Sequence, residues 1–139
     1  MGNLKNKQFV IENQIEELTS LAEKIEKIAK EWEISPALAM NMNLVIEEAL
    51  SNIIFYAFTD KNKHEIKISV SVDKNILTIK ITDDGIPFNP LKHKQPDITL
   101  PAEERPVGGL GIFLMSQIMD QMLYKRKGNE NILTLKKNI

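Results

Sequence analysis

Two alternating runs constrain this chain most. In the first, Ile66, Ile68, Val70 and Val72 are separated by Lys67, Ser69 and Ser71; in the second, Leu77, Ile79 and Ile81 alternate with Thr78, Lys80 and Thr82. A period of two places all the apolar side chains of a strand on one face. Asp73-Lys74-Asn75 between the runs reads as a short hairpin connection. The chain must therefore build a sheet with one wet face and one covered face. The cover has to come from elsewhere in the sequence.

Helical patterns supply it. Ile15, Leu18, Ala22, Ile25, Ala29 and Trp32 recur at 3,4 spacing, so Gln14–Trp32 is expected to be an amphipathic helix, with Asn13 as N-cap and Glu16 completing a capping box. The pattern would also serve a dimer seam. Ser35-Pro36 gives the next helix an N-cap and a first-turn proline, and that helix is expected to end near Thr59-Asp60. On it Leu38, Met42, Val45, Ala49, Ile53 and Tyr56 form one stripe, which Ile46 and Leu50 widen. Further elements are a strand at Gln8–Ile11, a helix at Ile112–Met122, and a closing hairpin of Leu123–Lys127 and Asn131–Lys136 around Gly128-Asn129. The order β-α-α-β-β-loop-α-β-β predicts an α/β two-layer sandwich: a mixed, mainly antiparallel sheet covered on one face by helices, in a single domain over residues 1–139.

Composition narrows the chemistry. With no cysteine among 139 residues, disulfides, Cys-ligated zinc and thiol nucleophiles are excluded. A net charge of −1 gives no electrostatic footprint for nucleic acid. The longest apolar run, Ile53–Phe58, is too short to span a bilayer, and the first residues lack an apolar signal core, so no membrane association and a cytoplasmic location are expected. His64 and His93 stand in unrelated segments, offer neither a metal constellation nor a triad, and are expected to be solvated surface histidines.

Three features carry chemistry. Glu48 and Asn52 are spaced i and i+4 on the rim of the helical stripe, with Glu47 facing away. An amide intruding on an apolar face needs a partner, and a carboxylate beside it can hold a proton or sit near a metal ion; a helix-surface Glu–Asn hydrogen bond would equally account for the pair. Asp83-Asp84-Gly85-Ile86-Pro87 ends the second alternating strand. It reads either as a turn or as a base pocket, because an acceptor-only carboxylate suits the exocyclic amine of adenine. Gly108-Gly109-Leu110-Gly111 opens a helix, where unpaired N–H groups and a positive dipole end favour phosphate; a glycine hinge or tight helix packing is the other reading. It is not a P-loop. Before it lies Asn89–Val107, aperiodic and proline-rich, the kind of segment that serves as a lid or binding loop.

Taken in order, Glu-x-x-x-Asn on a helix, Asp-x-Gly-x-Pro at a strand end and Gly-x-Gly after a long loop resemble the GHKL ATP-binding superfamily, whose fold is called the Bergerat fold. The resemblance covers nearly the whole chain. The compact length, the Asp-Asp-Gly-Ile-Pro-Phe form and Gly-Gly-Leu-Gly-Ile look most like the bacterial anti-sigma-factor serine/threonine kinases. That resemblance implies ATP and Mg²⁺ as cofactors, Glu48 as general base and Asn52 as magnesium ligand. It implies Asp83, Gly85 and Pro87 at the adenine, and Gly108, Gly109, Leu110 and Gly111 on the phosphate side. It further implies a sigma factor and a serine-bearing anti-sigma-factor antagonist as partners, with a homodimer possible. The chain departs from the family pattern twice. Arg105 stands further from the glycines than the family's arginine, with Lys92 and Lys94 as other candidates for the γ-phosphate, and Thr134 does not clearly match the place where the final strand often supplies a threonine to the adenine pocket. The alternative function is a non-catalytic nucleotide-binding module that holds a sigma factor.

Overall fold

The computed structural model describes residues 4–92 and 109–139. Strand β1 (Lys5–Glu12) leads to helices α1 (Glu17–Glu31) and α2 (Pro36–Tyr56); strands β2 (Glu65–Asp73) and β3 (Ile76–Asp83) follow, then helix α3 (Gly109–Ile118) and strands β4 (Gln121–Lys127) and β5 (Glu130–Asn138). The described strands form one sheet in the order β1-β2-β3-β5-β4, and every pairing is antiparallel. The expected α/β architecture is borne out, with no parallel pair among the described strands.

The alternation decides the register. Ile66, Ile68 and Val70 of β2, Leu77, Ile79 and Ile81 of β3, and Leu133 and Leu135 of β5 are all buried under the helices. Each fully buried side chain of this size is worth about 1.5–3 kcal/mol, and a one-residue slip would turn the whole set to water. The β2–β3 turn is made by Lys74 (φ 52°) and Asn75 (φ 62°), the two left-handed residues that a two-residue hairpin loop requires.

Helix α2 is the middle helix, packed against both α1 and α3. Ser35 caps it as expected, its hydroxyl accepting from the Leu38 N–H at 3.2 Å. Met42, Val45, Ile46, Ala49, Leu50 and Ile53 are buried, but Tyr56 is 37% exposed and Ala57, fully buried at the C-cap, closes the stripe instead.

Several boundaries differ from expectation; among them, β1 starts at Lys5 rather than Gln8 and α2 ends at Tyr56 rather than near Thr59-Asp60. Asn13 does not cap α1: its side-chain Oδ1 accepts from the His64 N–H at 2.9 Å, while its backbone N–H donates to the His64 carbonyl at 3.0 Å. Asn13 thus prolongs the β1–β2 pairing, and the helix starts only at Glu17, whose carboxylate accepts from the Glu12 N–H. Helix α3 stops at Ile118 rather than Met122, because the Asp120 N–H is already bonded to Lys136 of β5 at 2.9 Å. Pro90–Lys92 forms a 3₁₀ turn, with the Asn89 side chain accepting from the Leu91 N–H at 2.9 Å. The rest of the expected lid lies outside the described residues.

Candidate functional site

The C-terminal half of α2 is a ruler along which the three features are arranged. Its Glu48 end faces α3; its Ala57 end meets the Asp83–Pro87 turn. Nine residues of helix separate the two, about 13 Å.

At the α3 end, the half-buried Glu48 carboxylate lies directly against the α-carbon of Gly111. Burial, and secondarily the charge of Glu47, hold the Glu48 carboxyl above the ordinary carboxylate range. Glu47 itself is exposed. One turn on, Asn52 is only 4% exposed, and its Nδ2 is buried with no hydrogen-bond partner among the described residues. An orphaned buried amide costs about 1–3 kcal/mol unless something satisfies it. Rotation of the carboxamide by 180° exchanges its oxygen and nitrogen, so the same position can offer an acceptor or a donor.

At the other end, the Ile86 N–H donates to the Ala57 carbonyl at 2.7 Å and brings the turn against the helix. Gly85 is what permits this. A β-carbon there would overlap the Ala57 oxygen and lie 2.9 Å from Ala57 C and from Ala57 Cβ. Asp83, 2% exposed, sits where β3 leaves the sheet. Its Oδ2 accepts from the Gly85 N–H at 2.9 Å and from Asn131 Nδ2 at 3.0 Å, which leaves Oδ1 without a protein donor among the described residues. Burial pushes its carboxyl up, and the bonds from Asn131 and Gly85 pull it back part of the way. Ile86 and Pro87 are exposed beside it.

The sequence reading missed the residue that holds this corner. Asn131, 4% exposed, pairs with Asp83 across the β3–β5 ladder. Its Nδ2 also donates to the Ile86 carbonyl at 2.8 Å. Its Oδ1 accepts from the Tyr124 hydroxyl at 2.5 Å, the Phe88 N–H at 3.2 Å and the Arg126 guanidinium at 3.2 Å. Arg126 further donates to the Gly85 carbonyl at 2.8 Å. The signal was present: Asn131, Leu133 and Leu135 share the buried face of β5, so Asn131 is an amide intruding on an apolar face, as Asn52 is. Thr134 lies on the opposite face, paired with Lys80, and does not reach Asp83.

His64 is not a solvated histidine. It stacks on Phe58 at 4.6 Å, and its ring nitrogens bridge Asp60 (2.8 Å) and Asp84 (2.9 Å), which tie the loop after α2 to the end of β3. These bonds, chiefly that to Asp60, raise its pKa.

Of the glycines expected on the phosphate side, Gly109 begins α3 and Gly111 lies in its first turn, with Leu110 between them. Lys92 is exposed at the end of the 3₁₀ turn. Arg105, Gly108, Lys94 and His93 lie outside the described residues. No group of three or more His, Cys, Asp or Glu side chains able to hold a metal occurs among the described residues. No described helix is long and apolar enough to cross a membrane.

Residues 11–137 match the family described as histidine kinase-like ATPase domain. Among curated relatives, the chain is 29% identical over 111 residues to the serine/threonine-protein kinase BtrW of Bordetella bronchiseptica, covering 80% of this chain and 78% of that protein. It is 28% identical over 99 residues to the serine-protein kinase RsbW of Listeria monocytogenes, covering 68% and 63% respectively. With RsbW of Bacillus thuringiensis the identity is 36% over 86 residues, covering 59% and 53%. The chain therefore spans less than two thirds of both RsbW relatives. Among solved structures it is similar to the histidine kinase domain of a blue-light activated histidine kinase from Erythrobacter litoralis, with TM-score 0.53, 18% identity, and coverage of 89% of this chain and 60% of that one. It is also similar to the histidine kinase AdeS of Acinetobacter baumannii, with TM-score 0.52, 18% identity, and coverage of 98% and 68%. At that identity the structures speak to the fold alone.

Proposed function

Because this chain belongs to the histidine kinase-like ATPase domain family, we propose that it is an anti-sigma-factor serine/threonine kinase that binds ATP with Mg²⁺ and phosphorylates a serine of an anti-sigma-factor antagonist. The names of its relatives, serine-protein kinases RsbW and BtrW, support the substrate residue. The sigma factor, the antagonist and a homodimer are the partners this reading carries, and the cytoplasm is its location.

One observation carries the chemistry: a half-buried acid of raised pKa stands one helical turn from a buried amide whose Nδ2 has no partner among the described residues, between a glycine-started helix and a buried aspartate. In this reading Asp83 accepts from the adenine amine through Oδ1, and the Gly85 contact keeps the base against α2. The N–H groups of Gly109 and Gly111 face the phosphates, with Gly108 of the same motif, and Arg105, Lys92 or Lys94 from the preceding segment, as further contributors. Asn52 suits magnesium through its amide oxygen. Magnesium keeps most of its waters and takes few protein ligands, so one amide together with the phosphates is a sufficient set. When bound, the ion neutralises charge on the phosphate oxygens. Glu48 accepts the serine hydroxyl proton as the serine oxygen bonds to the γ-phosphorus and the bond to the leaving ADP oxygen breaks. Its raised pKa makes it a stronger base than an exposed carboxylate.

The test is labelled-phosphate transfer from ATP to candidate antagonists. Glu48→Gln is expected to lower transfer by about 10²–10⁴-fold while nucleotide affinity is kept, and Glu47→Gln to leave both unchanged. Equal transfer by Glu48→Gln, or none by the wild type to any antagonist, refutes the kinase reading in favour of a nucleotide-binding module that holds the sigma factor without catalysis.

A further inference from the structure

We propose that Gly111 is a positioning residue for Glu48: the missing side chain at 111 forms the seat that holds the carboxylate in place. This deepens the kinase reading and rests on it for the catalytic consequence. The family resemblance places Gly111 among glycines that admit phosphate, but the structure shows a second reason for its lack of a side chain. A β-carbon at 111 would overlap Glu48 Oε2 and lie 2.8 Å from Cδ and 3.3 Å from Cγ. The first turn of α3 and the end of the Glu48 side chain thus occupy adjoining space with no room for a methyl between them.

The consequence follows from which atoms are in the way. The neighbour nearest the hypothetical methyl is the tip of a flexible side chain, not backbone, in contrast to Gly85, where the neighbours are Ala57 main-chain atoms and Cβ. Glu48 can rotate about its χ angles and leave, so the fold tolerates an alanine at 111 while the carboxylate does not keep its place. The departing carboxylate moves from a half-buried position towards water and loses the burial that raises its pKa. Because α3 begins at Gly109, Gly111 lies in its first turn, and the seat exists only while that turn is docked against α2. Orientation of the base is thereby coupled to the same turn whose N–H groups face the phosphates.

The experiment compares the full chain with Gly111→Ala, Glu48→Asp and the double variant. Gly111→Ala is expected to melt no lower than wild type, since alanine also favours the helix. At saturating ATP it should transfer phosphate about 10²-fold more slowly. The acid limb of its rate–pH profile should move to lower pH. Glu48→Asp shortens the side chain and vacates the seat, so in that background Gly111→Ala should cost little further rate, a non-additivity that independent roles would not give. If Gly111→Ala instead unfolds the chain and Glu48→Asp fails to restore folding, the proposal is overturned. It is equally overturned if Gly111→Ala keeps the wild-type rate, or if it weakens ADP binding with the maximal rate unchanged. A ¹³C NMR titration of the Glu48 carboxyl separates this proposal from the kinase reading. If the wild type transfers no phosphate, the seat still predicts a pKa that drops in Gly111→Ala, and identical titrations in the two proteins overturn it.

Discussion

Replacing Asn131 by leucine tests whether one buried amide holds the Asp83 corner together. Leucine keeps the branched heavy-atom skeleton of asparagine but none of its hydrogen-bonding groups, so the lost hydrogen bonds dominate the effect. Asp83, 2% exposed, loses the Nδ2 donor at 3.0 Å, a charged hydrogen bond worth about 1.5–3 kcal/mol. The Ile86 carbonyl and the Phe88 N–H also lose their Asn131 bonds, at about 1 kcal/mol each where water does not replace them. Tyr124 and Arg126 are partly exposed and find water, so they add little. The sum is about 3–5 kcal/mol, or a fall in melting temperature of about 12–20 °C at about 4 °C per kcal/mol for a chain of this size. The pH dependence sharpens the test. Burial already raises the Asp83 carboxyl above its ordinary value near 3.8, so between that pH and its folded pKa the native state binds more protons than the unfolded one, and stability falls as pH rises. Asn131 opposes that shift; without it the folded pKa climbs further and the window widens. The deficit of Asn131→Leu should therefore be larger at pH 7 than at pH 4.5 when thermal unfolding is followed by circular dichroism. A fall below about 4 °C, or a deficit that does not change with pH, would show that Asn131 does not support Asp83.

Gly85→Ala places a methyl against main-chain atoms of Ala57 and should cost about 1–3 kcal/mol in urea unfolding, with weaker ATP binding; an unchanged midpoint would mean the turn does not bear on α2. His64, its pKa raised chiefly by Asp60 and then by Asp84, stabilises the fold fully below pH 6.5 and loses that contribution as pH rises through its folded pKa. His64→Gln should therefore lower the melting temperature more at pH 5.5 than at pH 9, and the reverse order refutes the bridge. Asp83→Asn should weaken ATP binding by about 1.5–3 kcal/mol, while equal wild-type affinity for ATP and GTP in calorimetry would remove Asp83 from the adenine.

The amino-acid sequence by itself determined the sheet faces, the helices and the order of the elements, because each rests on a period visible along the chain. Ile66 to Val72 and Leu77 to Ile81 name their own buried side, and Ser35-Pro36 names the start of α2. Glu48 and Asn52 could be placed together for the same reason, being four apart on one helix. What lies between elements was decided by tertiary structure. That Asn13 would bond to His64 rather than cap α1, that Asn131 would stand across from Asp83, and that Gly111 would seat Glu48 all join residues 48 to 63 positions apart. A hydrogen-bonding side chain carries no periodic mark of its partner, and a glycine carries no side chain to pattern at all. Their roles exist only once strand register and helix docking have fixed which atoms meet.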